Sequence, residues 1–219
     1  MPPRTIAIGD IHGCARALAA LIEAVDPRPQ DTIVALGDYV DRGADSKGVL
    51  EQLIELTRRT TLVPLVGNHE EMLLAVRQDP NQLEPWLRFG GVATLDSYGS
   101  LSIGAIPDDH FAFLESCRLI HESDRHFFVH ANYAPDVPLD QQNAETLVWL
   151  SMRDSVPTPH VSGKVALVGH TPQKDGEVLD LGHLKCLDTG CCYGGWLTAL
   201  DVESGEIWQA DATGAMRSK

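Results

Sequence analysis

The sequence predicts an α/β protein built from two packed, mixed β-sheets flanked by helices. Three observations predict it. Through the first third of the chain, short apolar strands alternate with amphipathic helices, the pattern of parallel βαβ units. In the second half, short β-rich segments dominate. Five of the apolar segments end in an aspartate, an asparagine or a histidine.

Taken in order, residues 4–8 read as a buried strand and residues 14–25 as an amphipathic helix. The turn-rich DPRPQD at 26–31 leads into a strand at 32–36. A helix at 46–58, a strand at 61–66 and a helix from His69 follow. Residues 82–117 read as mostly helical, broken at Gly90-Gly91 and at Gly99. Strands are then expected at 126–129, 165–168, 184–187, 196–201 and 206–208, joined by short turns, with a hairpin across Glu203-Ser204-Gly205. The absence of repeats or linkers makes residues 1–219 one expected domain. In a parallel sheet the carboxyl ends of the strands face a shared crevice, where ligands bind.

At 43% hydrophobic and 22% charged residues, the chain can bury a core without a metal or a disulfide to hold it folded. A metal-ligating cluster is therefore read as functional. The formal charge of −14 comes without any basic stripe, which argues against a nucleic-acid grip or attachment to an anionic membrane. No apolar run approaches the ~20 residues of a membrane span. The opening MPPRTIAIGDIHG reads as a strand rather than a signal peptide. Five cysteines without CxxC spacing fit a cytoplasmic protein, and Cys191 and Cys192 are expected to be buried, inert thiols, with oxidation sensing as the alternative.

Chemistry concentrates at the strand ends: Gly9-Asp10-Ile11-His12-Gly13, Gly37-Asp38-Tyr39-Val40-Asp41-Arg42-Gly43, Gly67-Asn68-His69-Glu70, then His130 and His170. Any one of these residues would ordinarily be a helix cap or a hydrogen-bonded histidine. Five strands ending alike point to one converging metal site. This order of motifs resembles the metallophosphoesterases, and within them the bacterial phosphoprotein phosphatases, from Ile8 to Gly195.

The resemblance implies the calcineurin-like fold and two divalent ions. Asp10 and His12 would bind the first ion, Asp38 would bridge, and Asn68, His130 and His170 would complete the second. The mixed donors suit Mn²⁺, with iron or zinc as alternatives. Two divalent ions less two carboxylates leave a local charge of about +2, enough for an acidic protein to hold a phosphate. A water or hydroxide bridging ions ~3.5–4 Å apart would attack phosphorus directly. Arg42, with Arg153, Asn68 and Tyr193, would hold phosphate oxygens, His69 would protonate the leaving group, and Asp41 would orient His69.

The implied activity is hydrolysis of phosphoserine or phosphothreonine, and of phosphotyrosine as a further substrate, on proteins or peptides. The alternatives are a symmetrical dinucleoside tetraphosphatase and a catalytically dead, metal-bound interaction module. The related tetraphosphatases typically lack the aspartate of Asp41, carry GNHD where this chain has GNHE, and hold a helical insertion this chain has little room for. Against this, the segment Leu187–Gly195 resembles them as well as the bacterial phosphatases. Tyr39 and Tyr98 are expected in packing roles, and His110, His121, His126, His160 and His183 match no motif.

Overall fold

The computed structural model describes residues 2–218. Strand β1 (Thr5–Ile8), helix α1 (Ala15–Val25), β2 (Thr32–Ala35), α2 (Ser46–Leu56), β3 (Thr61–Pro64) and α3 (Asn68–Gln78) form the alternating first third. The strands β1, β2 and β3 pair in parallel. Short helices α4 (Leu83–Trp86), α5 (Val92–Ser97) and α6 (Asp108–Glu115) follow. The expected break falls at Gly90, whose φ of 116° interrupts the helical path.

The second half holds β4 (Ile120–Glu122), β5 (His126–Val129), α7 (Ala144–Trp149), β6 (Val165–Val168), β7 (Leu179–Asp180), β8 (Leu184–Cys186), β9 (Asp188–Thr189), β10 (Trp196–Asp201) and β11 (Ile207–Ala210). One sheet runs β11-β10-β1-β2-β3, with β9 beside β10, and the other runs β4-β5-β6-β8-β7. The expected hairpin is β10–β11, closed by Gly205 N–H donating to the Asp201 carbonyl at 2.8 Å. One expectation is corrected. Strands β5, β6 and β8 are not joined by short turns but pair in parallel, with α7 and long loops between β5 and β6, and a long loop and β7 between β6 and β8. Parallel pairing requires such a crossover, because the chain must return to the starting end of the sheet.

Strand alternation builds the layers. On β1, Ile6 and Ile8 face a core shared with Leu18 and Leu21 of α1 and with Leu50 and Leu53 of α2. Ala7, between them, faces the second sheet, where it joins Val34, Leu36, Val63, Leu65, Phe128, Leu167 and Leu187. Phe127 and Val129 point to the far side of β5, against Tyr133, Val148 and Met152. The period of two thus places one hydrophobic layer between the sheets and one outside each.

Asp31, fully buried at the entrance to β2, ties this frame together. Its carboxylate accepts hydrogen bonds from the backbone N–H and guanidinium of both Arg4 and Arg28, at 2.7–3.2 Å. Burial opposes its charge, yet the two arginines hold its carboxyl well below the usual carboxylate range. A depressed folded-state pKa contributes stability that is complete above the unfolded value of about 3.9 and is lost as pH falls through the folded value. We expect Asp31→Asn to cost about 3 kcal/mol at pH 7 in urea unfolding. The gap to the wild type should narrow below about pH 4; a gap independent of pH would contradict this account.

Candidate metal centre and active site

Because β1, β2 and β3 run parallel in one sheet, and β5 and β6 in the other, five strand ends open on the same side. They deliver Asp10, Asp38, Asn68, His130 and His170 to one place, and the β1 loop adds His12. All but His170 are buried, and His170 is partly so. The backbone is bent to achieve this. Among the described non-glycine residues, positive φ occurs at His12, Asp38, Asp41, Arg42, His170 and Asp26, and the first five belong to the site. Such angles cost of order 1 kcal/mol or more each and persist where the surrounding structure enforces them. Gly169 has no such φ but clears space: a Cβ there would lie 2.0 Å from Asp10 Oδ1.

The hydrogen-bond network selects the histidine tautomers. His130 Nδ1 donates to the Leu36 carbonyl at 2.7 Å, and His12 Nδ1 donates to the Val40 carbonyl at 2.9 Å. Each Nε2 lone pair is left facing the centre. His130 Nε2 lies 3.4 Å from Asp38 Oδ1, 3.3 Å from Asn68 Oδ1 and 3.2 Å from His170 Nδ1. His170 Nδ1 in turn lies 3.0 Å from Asn68 Oδ1, and His12 Nε2 lies 3.3 Å from Asp38 Oδ2. Acceptors converging with so few protons between them suit a cation, and an outward N–H held by a carbonyl is the usual support of a metal-binding histidine.

Charge points the same way. Burial and the neighbouring carboxylates Asp188 and Asp38 push Asp10 well above its ordinary value. Burial pushes Asp188 up to about 6. Burial also works against Asp38, but His130, His69 and His12 hold its carboxyl well below the usual range. Burial and the adjacent His130 lower His170 to about 4, which keeps it neutral, the form that binds metal. Two trios, His12–Asp38–His69 and Asp38–His130–His170, present ligand atoms within 4.8 Å of one another, with Asp38 common to both. Asp10 stands outside both trios, its two oxygens accepting the His170 N–H at 3.1 and 3.0 Å.

His69 and Asp41 form a second, dry pair. Both are fully buried, and His69 Nδ1 donates to Asp41 Oδ2 at 2.7 Å. Trp86 Nε1 donates to both Asp41 oxygens at 3.1 and 2.9 Å, and Thr94 Oγ1 donates to Oδ1 at 2.7 Å. His69 Nε2 is buried without a hydrogen-bond partner. Its ring meets the His12 ring edge-on, with centroids 4.7 Å apart.

Arg42, held by its N–H donating to the Gly90 carbonyl, places Nη1 2.6 Å from His12 Nε2 and its guanidinium 5.5 Å from the centre of the Tyr193 ring. Both residues line a cleft of about 650 Å³ together with Arg153, His170, Lys174 and Trp196. Tyr193 is 62% exposed at its rim. Tyr39 is core, its hydroxyl donating to the Ala35 and Leu65 carbonyls, and Tyr98 pairs with His110 away from the site. His121, His126, His160 and His183 do not join the centre.

The role of Glu70 was not read from the sequence. Fully buried, it accepts the N–H groups of Asp38, Tyr39 and Gly67 at 2.7–2.9 Å, which clamps the β2 loop to the start of α3. The signal was present: a glutamate three residues after the glycine that opens a helix is half of a capping box. Trp86 and Thr94 carried no such signal, since they meet Asp41 only through the fold.

The family model described as calcineurin-like phosphoesterase matches residues 3–204. Serine/threonine-protein phosphatase 1 of Salmonella typhimurium is 29% identical over 205 residues, covering 90% of each chain. The symmetrical bis(5'-nucleosyl)-tetraphosphatase of Salmonella arizonae is 28% identical over 260 residues, covering 91% of each. That alignment exceeds this chain's whole 219 residues, so the tetraphosphatase holds segments absent here. Among solved structures, a cold-active protein-tyrosine phosphatase of a Shewanella species superposes with a TM-score of 0.71 at 17% identity, covering 99% of this chain and 80% of that one. This last likeness bears on the fold alone.

Proposed function

The chain belongs to the calcineurin-like phosphoesterases, hydrolases with a dinuclear divalent-metal centre, and from that premise we propose that it is a phosphoprotein phosphatase. Its substrates are phosphoserine and phosphothreonine side chains, with phosphotyrosine as a further one. The buried Asp41–His69 pair carries the proposal. An alkoxide leaving from a serine or threonine is strongly basic and needs a proton as the phosphorus–oxygen bond breaks. His69 has one nitrogen fixed on a carboxylate and the other aimed, without a partner, beside the metal-ligand cluster. A pyrophosphate linkage, by contrast, leaves as a weakly basic phosphate and needs no such acid.

In this reading Asp10, His12, Asp38, Asn68, His130 and His170 hold two ions, most fittingly Mn²⁺ for this mixture of oxygen and imidazole donors. When bound, the ions supply Lewis acidity and a water acidic enough to attack phosphorus in line. Arg42 and Arg153, which line the cleft, orient phosphate oxygens together with Asn68 and Tyr193. His69 delivers the proton at Nε2, and Asp41 holds the ring through Nδ1.

A second reading, a dinucleoside polyphosphate hydrolase, draws support from the tetraphosphatase relatives and from the aromatic, cationic lining of the cleft. Initial rates with Mn²⁺ on a phosphothreonine peptide and on diadenosine tetraphosphate separate the two. We expect kcat/KM to favour the peptide by at least about tenfold, or 1.4 kcal/mol in transition-state stabilisation. Preference for the dinucleotide would replace the first reading by the second.

A further inference from the structure

On this acidic surface most cations are neutralised. Among the described residues, the lysines and arginines without a carboxylate within 4 Å are Arg16, Arg42, Arg59, Arg118, Arg153 and Lys174. Three of these, Arg42, Arg153 and Lys174, line the one cleft beside the metal ligands. Arg42 and Arg153 are taken up by the phosphate in the function proposed above; Lys174 has no task there.

Lys174 also has a fixed backbone. It occupies the second position of a turn closed by Gly176 N–H donating to the Gln173 carbonyl at 3.1 Å. The turn is pinned at both ends. Gln173 N–H donates to the Asp188 carbonyl at 2.8 Å, and the Gly176 carbonyl accepts from Gln209 Nε2 at 3.2 Å and Arg217 Nη1 at 3.3 Å. Gly176 packs so closely on Trp196 that a Cβ would lie 3.0 Å from the ring, and its φ of 73° is one that side chains disfavour. The guanidinium of Arg217 sits 5.4 Å from the centre of the same ring. Lys174 and Trp196 both line this cleft, as does Asp175 next to Lys174. An exposed ammonium with no carboxylate within 4 Å, carried on a hydrogen-bonded turn at the cleft of a protein of net charge −14, is available to meet an anion.

We propose that Lys174 is a specificity-determining residue that binds a second anionic group of the substrate, beyond the phosphate undergoing hydrolysis. The inference rests on the phosphatase reading. Its chemistry is a carboxylate or phosphate on the same substrate molecule, and for a phosphopeptide this is an acidic residue or a second phosphoresidue near the first.

The test is a ratio of kcat/KM values, measured with Mn²⁺ on the full chain, for two phosphothreonine peptides that differ only in flanking Asp/Glu against Asn/Gln. The wild type should prefer the acidic peptide by about 2–5-fold, with the preference shrinking as salt is raised. Lys174→Gln should bring the ratio close to one, Lys174→Glu should invert it, and Lys174→Arg should retain it, which a merely structural role would not produce. Parallel arms with a doubly phosphorylated peptide and with diadenosine tetraphosphate identify which anion the subsite serves. A ratio near one in the wild type, or one unmoved by Lys174→Gln, would overturn the proposal. Absence of hydrolysis of any phosphopeptide or aryl phosphate would instead overturn the phosphatase reading itself.

Discussion

Asp38→Asn is expected to lower Mn²⁺-dependent hydrolysis by more than ~10³-fold and to weaken metal uptake at both positions together. The reason is that Asp38 is the one residue common to both trios of potential ligands, and its oxygens lie 3.3 and 3.4 Å from His12 and His130. Removing its charge leaves two ions sharing fewer anionic oxygens. The affinity loss should exceed the ~10–100-fold typical of removing a mere outer partner of a metal ligand. Lewis-acid stabilisation of a phosphoryl transition state is worth several kcal/mol, which sets the scale of the rate loss. Calorimetric titration with Mn²⁺, and the rise in Tm that Mn²⁺ produces, read metal binding without reference to activity. Retention of two ions at unchanged affinity would remove Asp38 as the bridge.

His69→Asn should behave differently. Asparagine can still donate to Asp41 where Nδ1 does now, but it has nothing at the position of Nε2. Metal uptake should be preserved while turnover of a phosphothreonine peptide falls by ~10²–10⁴-fold, the usual value of a positioned proton donor. An aryl phosphate, whose leaving group needs less protonation, should lose much less. This difference decides an ambiguity in the geometry, because His69 also lies within reach of His12 and Asp38. If metal affinity collapsed and both substrates slowed equally, His69 would be a ligand rather than the acid. Trp86 and Thr94, which hold Asp41, would then be supports of the metal centre.

Much of this was legible in the chain. The parallel β1-β2-β3 unit follows from apolar runs separated by amphipathic helices, and the β10–β11 hairpin from a Gly-containing turn between two apolar segments. Strand β4, helix α7 and the parallel register of β5 on β6 were not legible. Short elements carry too few residues for a period to show, and pairing direction is set by a crossover whose path is tertiary.

Strand ends and glycines are local signals, so the kinds of donor and their order can be read from the residues alone. How those donors are used depends on the packed fold. The Leu36 and Val40 carbonyls turn His130 and His12 so that one lone pair of each faces inward. Thr94 and Trp86, brought from the helical segment beyond α3, hold Asp41 against His69. The turn at Gln173–Gly176 sets Lys174 on the cleft wall. Each of these depends on which groups lie within about 3 Å across long stretches of chain. Local propensity has no term for such contacts; they arise when the two sheets close on their shared apolar layer and bring the strand ends together.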